Sequence, residues 1–427
     1  MNWKRRGVAA VTVGGLSVLL LSLHAVVAQP SGLRVDTSSA AARASQSADA
    51  TGVRTLLDRL ERVPGDWTAW NALGEAYLRV GTSTADASYY RRADVAFARS
   101  LELRPDDNDD AYAGAGAVAA ARHDFTGALE LARRALGINA YSPAAWGVRV
   151  DALVELGRYP EARRALQRML HLRPSTASLA RASYFRELHG DIRGARLALE
   201  GALAFASTRP DKLFALQYLG ELAFAHGRPR AALRHYEAGL VLSPEDPALL
   251  AARAEVRAAT GDLAGALADY EASVARLPDP GHLAEYAAVL GHVGRDAEAE
   301  EQHTVIGKVF LLADGSADLE LAYYAAGVGN GDAAVEAARR EYERRVTVQT
   351  QDALAYALHV AGRNIEALGY ARAAERLSEK NGSFAYHRGL IEAALGLDEA
   401  RATLQRAVDL NPYSVDGVAA AAALKSL

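Results

Sequence analysis

Residues 216–244 read LQYLGELAFAHGRPRAALRHYEAGLVLSP, and this run decides the fold. Leu216, Leu219 and Gly220 lie on a first helix that Gly227 ends. A glycine there permits the left-handed backbone of a tight turn. Ala232, five residues on, is small enough for a second helix to approach the first closely. Tyr236 follows one helical turn later and packs on the same face. Pro244 then stops the second helix, because it cannot continue the backbone hydrogen bonding. The run is a helix-turn-helix hairpin.

The hairpin recurs along the chain. Ala93, Ala128, Ala162, Ala195, Ala232, Ala266, Ala299, Ala334, Ala367 and Ala400 follow one another at 33 to 37 residues. Gly157, Gly190, Gly227, Gly261, Gly294, Gly329 and Gly362 each stand five residues before one of these alanines, and Gly396 four before the last. Phe97, Leu166, Leu199, Tyr236, Tyr270 and Leu404 stand four after, and Pro105, Pro174, Pro244, Pro278 and Pro412 twelve after. Several markers in one register over more than 300 residues are the signature of a repeat array, whose core grows along one axis rather than around a centre. The first unit has extra residues in its turn, around Gly81 to Ser88. The units near Gly281 and Gly315 diverge, with His303 and Ala338 where a large apolar residue is usual, and are candidates for a break in the array.

The pattern resembles the tetratricopeptide repeat family. One copy shows Trp70, Leu73, Gly74, Tyr77, Ala93, Phe97 and Pro105; another shows Trp146, Leu153, Gly157, Tyr159, Ala162, Leu166 and Pro174. The resemblance implies an all-α, right-handed superhelical solenoid of about ten helix-turn-helix repeats. They span residues 67–413, with a possible capping helix at 53–66 and a C-terminal one at 414–427. It also implies a concave groove lined by first helices. Carried onto this sequence, the groove register falls on Asn71, Glu75, Asp151, Tyr184, Glu187, Phe214, Gln217, Glu221, Phe224, Glu255, Tyr323, Asp352 and Tyr356. That set is acidic and aromatic. It lacks the Lys and Asn pattern by which chaperone-binding members of the family clamp a C-terminal carboxylate. Such a face attracts a protein or peptide segment with basic and apolar side chains and repels nucleic acid.

Composition agrees. Half of the 427 residues are hydrophobic and 23% are charged, which excludes a largely disordered chain. Thirteen prolines amid abundant Ala and Leu favour helix. The net charge of -4 leaves no broad basic field for nucleic acid. Cysteine is absent, excluding disulfides, thiolate metal sites and a cysteine nucleophile.

Lys4, Arg5 and Arg6 precede an uncharged stretch from Gly7 to Val27, and Val26-Val27-Ala28 has the small-residue form of a signal-peptidase site. Residues 1–28 are expected to be a signal peptide or, uncleaved, a signal anchor tethering the chain to the membrane through residues 7–27. Either places the repeats outside the cytoplasmic membrane, secreted or in the periplasm or cell envelope. Residues 29–52, rich in small polar side chains, read as a flexible linker.

Signals of chemistry are weak. Gly114-Ala115-Gly116-Ala117-Val118-Ala119 imitates a dinucleotide loop, but no strand precedes it, and Asp109 to Ala121 reads as one helix. Gly327 to Gly331 falls in an inter-helix turn. His282, His292 and His303 match no metal-binding helix face. Asp106, Asp107, Asp109 and Asp110 suit a helix start. No serine stands in a nucleophile elbow. The expectation is a non-enzymatic binding scaffold without cofactor or metal. The alternative is an accessory subunit of an envelope enzyme complex whose catalysis lies on another chain.

Overall fold

A computed structural model describes residues 40–427, apart from 85, 87 and 314–316. Every regular element among the described residues is a helix, as a helical repeat solenoid requires. The residues divide into two compact units, one of residues up to 185 with 204–206, the other of residues 186–203 and 207–427. The divide falls at 185–186, and the divergent repeats near 281 and 315 lie inside the second unit.

The first unit contains α1 (Ala40–Arg62), α2 (Trp67–Thr84), α3 (Ser88–Leu103), α4 (Asp109–Ala121), α5 (Phe125–Ile138), α6 (Pro143–Glu155), α7 (Tyr159–Leu172) and most of α8 (Thr176–Leu188). α1 takes in the second part of the segment expected as a linker, residues 29–52; its first part, residues 29–39, lies outside the described residues. The Ala-rich run from Ala40 to Ala50 has high helix propensity. It continues directly into the segment where Val53, Leu56 and Leu60 pack with Leu73 and Tyr77 of α2. The signal or anchor expectation for residues 1–28 lies outside the described residues. No described helix is long and apolar enough to cross a membrane.

The second unit continues with α9 (Ile192–Phe205), α10 (Arg209–Ala225), α11 (Pro229–Leu242), α12 (Pro247–Ala259), α13 (Leu263–Val274), α14 (Pro280–His292) and α15 (Asp296–Leu312). It ends with α16 (Asp318–Gly327), α17 (Gly331–Arg344), α18 (Val348–Val360), α19 (Asn364–Ala374), α20 (Gly382–Ala394), α21 (Ala400–Leu410) and α22 (Val415–Leu424). Consecutive helices pack as hairpins within each unit: α2–α3, α4–α5 and α6–α7 in the first, and α10–α11, α12–α13, α14–α15, α16–α17, α18–α19 and α20–α21 in the second. The even-numbered helix is the first of each pair and the odd-numbered the second.

The markers do what their chemistry predicts. The eight glycines of the series are the described glycines with positive φ, from +67° to +92°. The residue after each glycine donates its N–H to a carbonyl five positions back, as Arg228 does to Ala223 at 2.9 Å and Arg363 to Leu358 at 2.8 Å. This bond closes the Schellman end of the first helix. In the α4–α5 turn His123 holds the same position at φ 62°. The register alanines are buried throughout. The large residue one turn later fills space that only glycine leaves open. A Cβ on Gly74 or Gly114 would come within 2.7 or 2.2 Å of the Phe97 ring, and one on Gly220 within 2.1 Å of Tyr236. Gly114 is therefore a packing glycine of α4.

The second unit also fastens its end to its beginning. Asn411, buried after α21, donates from Nδ2 to the Phe224 carbonyl of α10 at 2.7 Å. Lys380, before α20, donates from Nζ to the Gly190 carbonyl at 2.9 Å. The row of first helices in this unit thus curls back on itself.

Candidate functional site

The predicted groove residues fall into different environments. In the first unit, Asn71 is buried and donates from Nδ2 to Asn108 Oδ1 at 2.8 Å. It locks one repeat to the next and offers no open face. Glu75 is exposed, 3.9 Å from Arg79. Asp151 accepts both forks of Arg181 at 2.8 and 2.6 Å, with both side chains largely buried. Burial raises the Asp151 pKa, and the guanidinium only partly opposes this. Tyr184 is half-buried.

In the second unit, Glu187 lies 3.7 Å from His226 Nε2. Phe214 and Tyr218, one turn apart on α10, tilt together with ring centroids 4.5 Å apart. Gln217 donates to Glu221 Oε1 at 2.8 Å. Phe224 and Tyr323 are core side chains rather than groove surface. Phe224 packs with Tyr236 and Leu249, and Tyr323 belongs to the cluster around Leu283 and Leu354. Their register positions turn into the seam between neighbouring first helices, where burial of large apolar area is favoured. Asp352 is also buried, accepting at Oδ2 from Tyr323 OH at 2.9 Å and meeting His387 Nδ1 at 2.8 Å. His387 stacks on Tyr356 at 3.9 Å and 12°. Burial disfavours its charged ring, but Asp352 outweighs that and the His387 pKa is raised.

Around Glu221 and Glu255 the inner helices present further acids. Glu285 of α14 and Glu320 of α16 stand three residues before the Glu221 register, on the same helix face. All four remain partly accessible. For three of them, loss of water is nonetheless the largest influence. Burial, then the charges of Glu221 and Asp416, push Glu255 up to about 8. Burial, then Glu255, hold Glu285 well above the usual carboxylate range. Burial lifts Glu320 to about 7. Asp416, on the first turn of α22, bears on Glu255 of α12, consistent with the curl of this unit. A single-offset register finds Glu221 and Glu255 but misses Glu285, Glu320 and Asp416. A search for acids one turn to either side would have found the first two.

Among the described residues no group of three or more His, Asp or Glu could hold an ion. His303 Nδ1 instead lies 2.9 Å from Tyr324 OH. Gly327 and Gly329 sit at the α16–α17 turn, where Asn330 caps α17 by accepting from Ala333 N–H.

Two family models described as tetratricopeptide repeat match the chain, one over residues 119–183 and the other over 38–100 and 219–279. These segments are tetratricopeptide repeats, and such repeats are suited to protein–protein interaction. No curated protein matches the chain. Solved structures do. A thermophilic tetratricopeptide repeat protein of Thermus thermophilus is 22% identical, covering 43% of this chain and 98% of its own, with TM-score 0.38. Human IFIT1, solved as a dimer with PPP-AAAA, is 17% identical over 76% of this chain and 77% of its own, with TM-score 0.49. Yeast Tom70 is 12% identical over 84% and 95%, with TM-score 0.34.

Proposed function

We propose that this array of tetratricopeptide repeats is a non-enzymatic protein-interaction scaffold working outside the cytoplasmic membrane. In this reading the inner face of residues 186–427 holds a partner segment carrying basic and apolar side chains. The observation that carries the reading is electrostatic. Glu221, Glu255, Glu285 and Asp416 come from four different first helices and press on one another. Carboxylates brought together away from water are stabilised by an incoming cation. Phe214 and Tyr218 on the same helix as Glu221 supply aromatic anchoring area. The outward location rests on Lys4 to Arg6 ahead of the apolar stretch Gly7 to Val27.

Crosslinking in intact cells, followed by fractionation and mass spectrometry, tests both parts. The expected result is an envelope or secreted chain with a mature end near Gln29 or an intact anchor, crosslinked to proteins bearing basic segments. A Glu221→Gln/Glu255→Gln variant should lose those crosslinks. Recovery of the chain from the cytoplasm would overturn the location. Crosslinks unchanged in the folded variant would overturn the acidic face as the binding surface.

A further inference from the structure

Several largely buried acids in the second unit are answered by arginine. Asp269 accepts from Arg253 and Arg257, Asp318 from Arg340 and Arg344, and Glu375 from Arg388 and Arg406. Glu255 and Glu285 differ from these. Among the described residues neither makes an ion pair. The charged groups that chiefly bear on them are themselves acidic: Glu221 and Asp416 on Glu255, and Glu255, Asp279 and Glu221 on Glu285.

An independent observation comes from behind the carboxylates. Tyr236 of α11 is 0% exposed, and its hydroxyl makes no hydrogen bond. The ring is fixed against Gly220, and Glu221, Glu255 and Glu285 all act on the hydroxyl. Tyr270 of α13, in the same register one repeat later, is 1% exposed and donates to Glu285 Oε2 at 3.0 Å. Both phenols therefore reach from the second-helix layer toward the acidic face. A buried hydroxyl without a partner is costly unless an occupant or an ionised neighbour completes it.

We propose that Glu221, Glu255 and Glu285, backed by Tyr236 and Tyr270, form a receptor for one arginine or lysine side chain of a partner polypeptide. This rests on the reading of residues 186–427 as the face for a basic segment and narrows it to one subsite. The bound cation donates to the carboxylates from the front. Tyr270 keeps its O–H directed at Glu285, leaving its oxygen lone pairs as acceptors. Tyr236 gains an ionised carboxylate to donate to. Arginine suits the site best, since its planar fork can engage two carboxylates at once.

The test uses the full chain and two short fluorescein-labelled peptides at pH 8. One alternates arginine with leucine; the other carries citrulline, the neutral isostere, at each arginine. Wild type is expected to prefer the arginine peptide by about tenfold or more. A Glu255→Gln/Glu285→Gln variant should reduce that preference to about twofold or less, with citrulline-peptide binding unchanged. Tyr236→Phe, which removes only the hydroxyl, should lower it a few-fold while the protein melts no earlier. Wild type with no preference would sink the acidic-face reading and the receptor with it. A preference kept in full by the folded double variant would sink the receptor and leave the broader face standing. Spermine outcompeting the peptide in a Glu255-dependent way would make the occupant a free polyamine and overturn the proposal.

Discussion

Asp151 in the first unit and the Glu255–Glu285 pair in the second are carboxylates on first helices with opposite fates. Asp151 is clasped by both forks of Arg181, from the next first helix. Glu255 and Glu285 meet further acids and, for Glu285, a tyrosine hydroxyl. The same scaffold thus satisfies an inner acid internally in one place and leaves it to the surroundings in another. A satisfied pair is part of the architecture. An unsatisfied one is held in a state that protons or an incoming cation must complete.

The comparison breaks most visibly at Arg181. Replacing it with alanine leaves Asp151 buried without its counter-charge, and the first unit should lose about 3–5 kcal/mol of stability. All described tryptophans, Trp67, Trp70 and Trp146, lie in this unit. Tryptophan fluorescence in a urea titration therefore reads the loss directly. A midpoint within error of wild type would mean that the clasp contributes nothing and that the two regions do not differ in the way described.

The second unit should respond in the opposite sense. Glu255→Gln/Glu285→Gln removes like charges that the unliganded fold tolerates poorly, and is expected to stabilise this unit by about 2 kcal/mol at pH 8. The pH dependence follows from the raised pKa values. A carboxyl held at about 8 in the fold but near 4.5 when unfolded binds more protons in the native state throughout that window. Its contribution to stability therefore falls as pH rises from about 4.5 to about 8. Glu221, Asp416 and Asp279 add to the same trend, and no cation is among the chief influences opposing it. Melting curves of wild type should drop with pH across this range more steeply than those of the double variant. Parallel curves would show that the carboxyls are not strained.

The helical array was legible because its markers are local. A left-handed turn demands glycine, a close helix approach demands alanine, and each repeats in register. Where a marker was replaced, as by His123 at the α4–α5 turn, the geometry persisted without its signal. The divide left only a small mark in the marker series: Ala162 to Ala195, across 185–186, keeps the usual 33 residues, while Ala195 to Ala232, across 204–206, is the longest interval at 37. The inner face was read only in part. Glu221 and Glu255 share one offset from their alanines, whereas Glu285 and Glu320 sit a turn earlier on the same face. Asn71, Phe224 and Tyr323 were placed on the groove because register identifies a helix face but not whether the next helix covers it. The Arg181 partner of Asp151 and the His387 partner of Asp352 lie about one repeat away in sequence, and such pairings become visible only once the repeats are stacked.

The smallest expected effect sharpens the comparison from the exposed side. Glu75 carries the same charge as Glu255 on a first helix, but it is open to water, 3.9 Å from an equally exposed Arg79. Partial burial raises its pKa, yet its side chain stays more exposed than buried, and an exposed pair at i,i+4 contributes only about 0.3–0.5 kcal/mol. Glu75→Gln should therefore shift the tryptophan-detected midpoint by no more than about 0.5 kcal/mol and leave arginine-peptide preference untouched. Added salt should erase what difference there is, because exposed charges are screened over roughly 10 Å at 0.1 M. If Glu75→Gln instead cut the preference as deeply as Glu255→Gln/Glu285→Gln, net negative charge would suffice to attract a basic segment. The distinction drawn from burial and missing counter-charge would then have no consequence for binding.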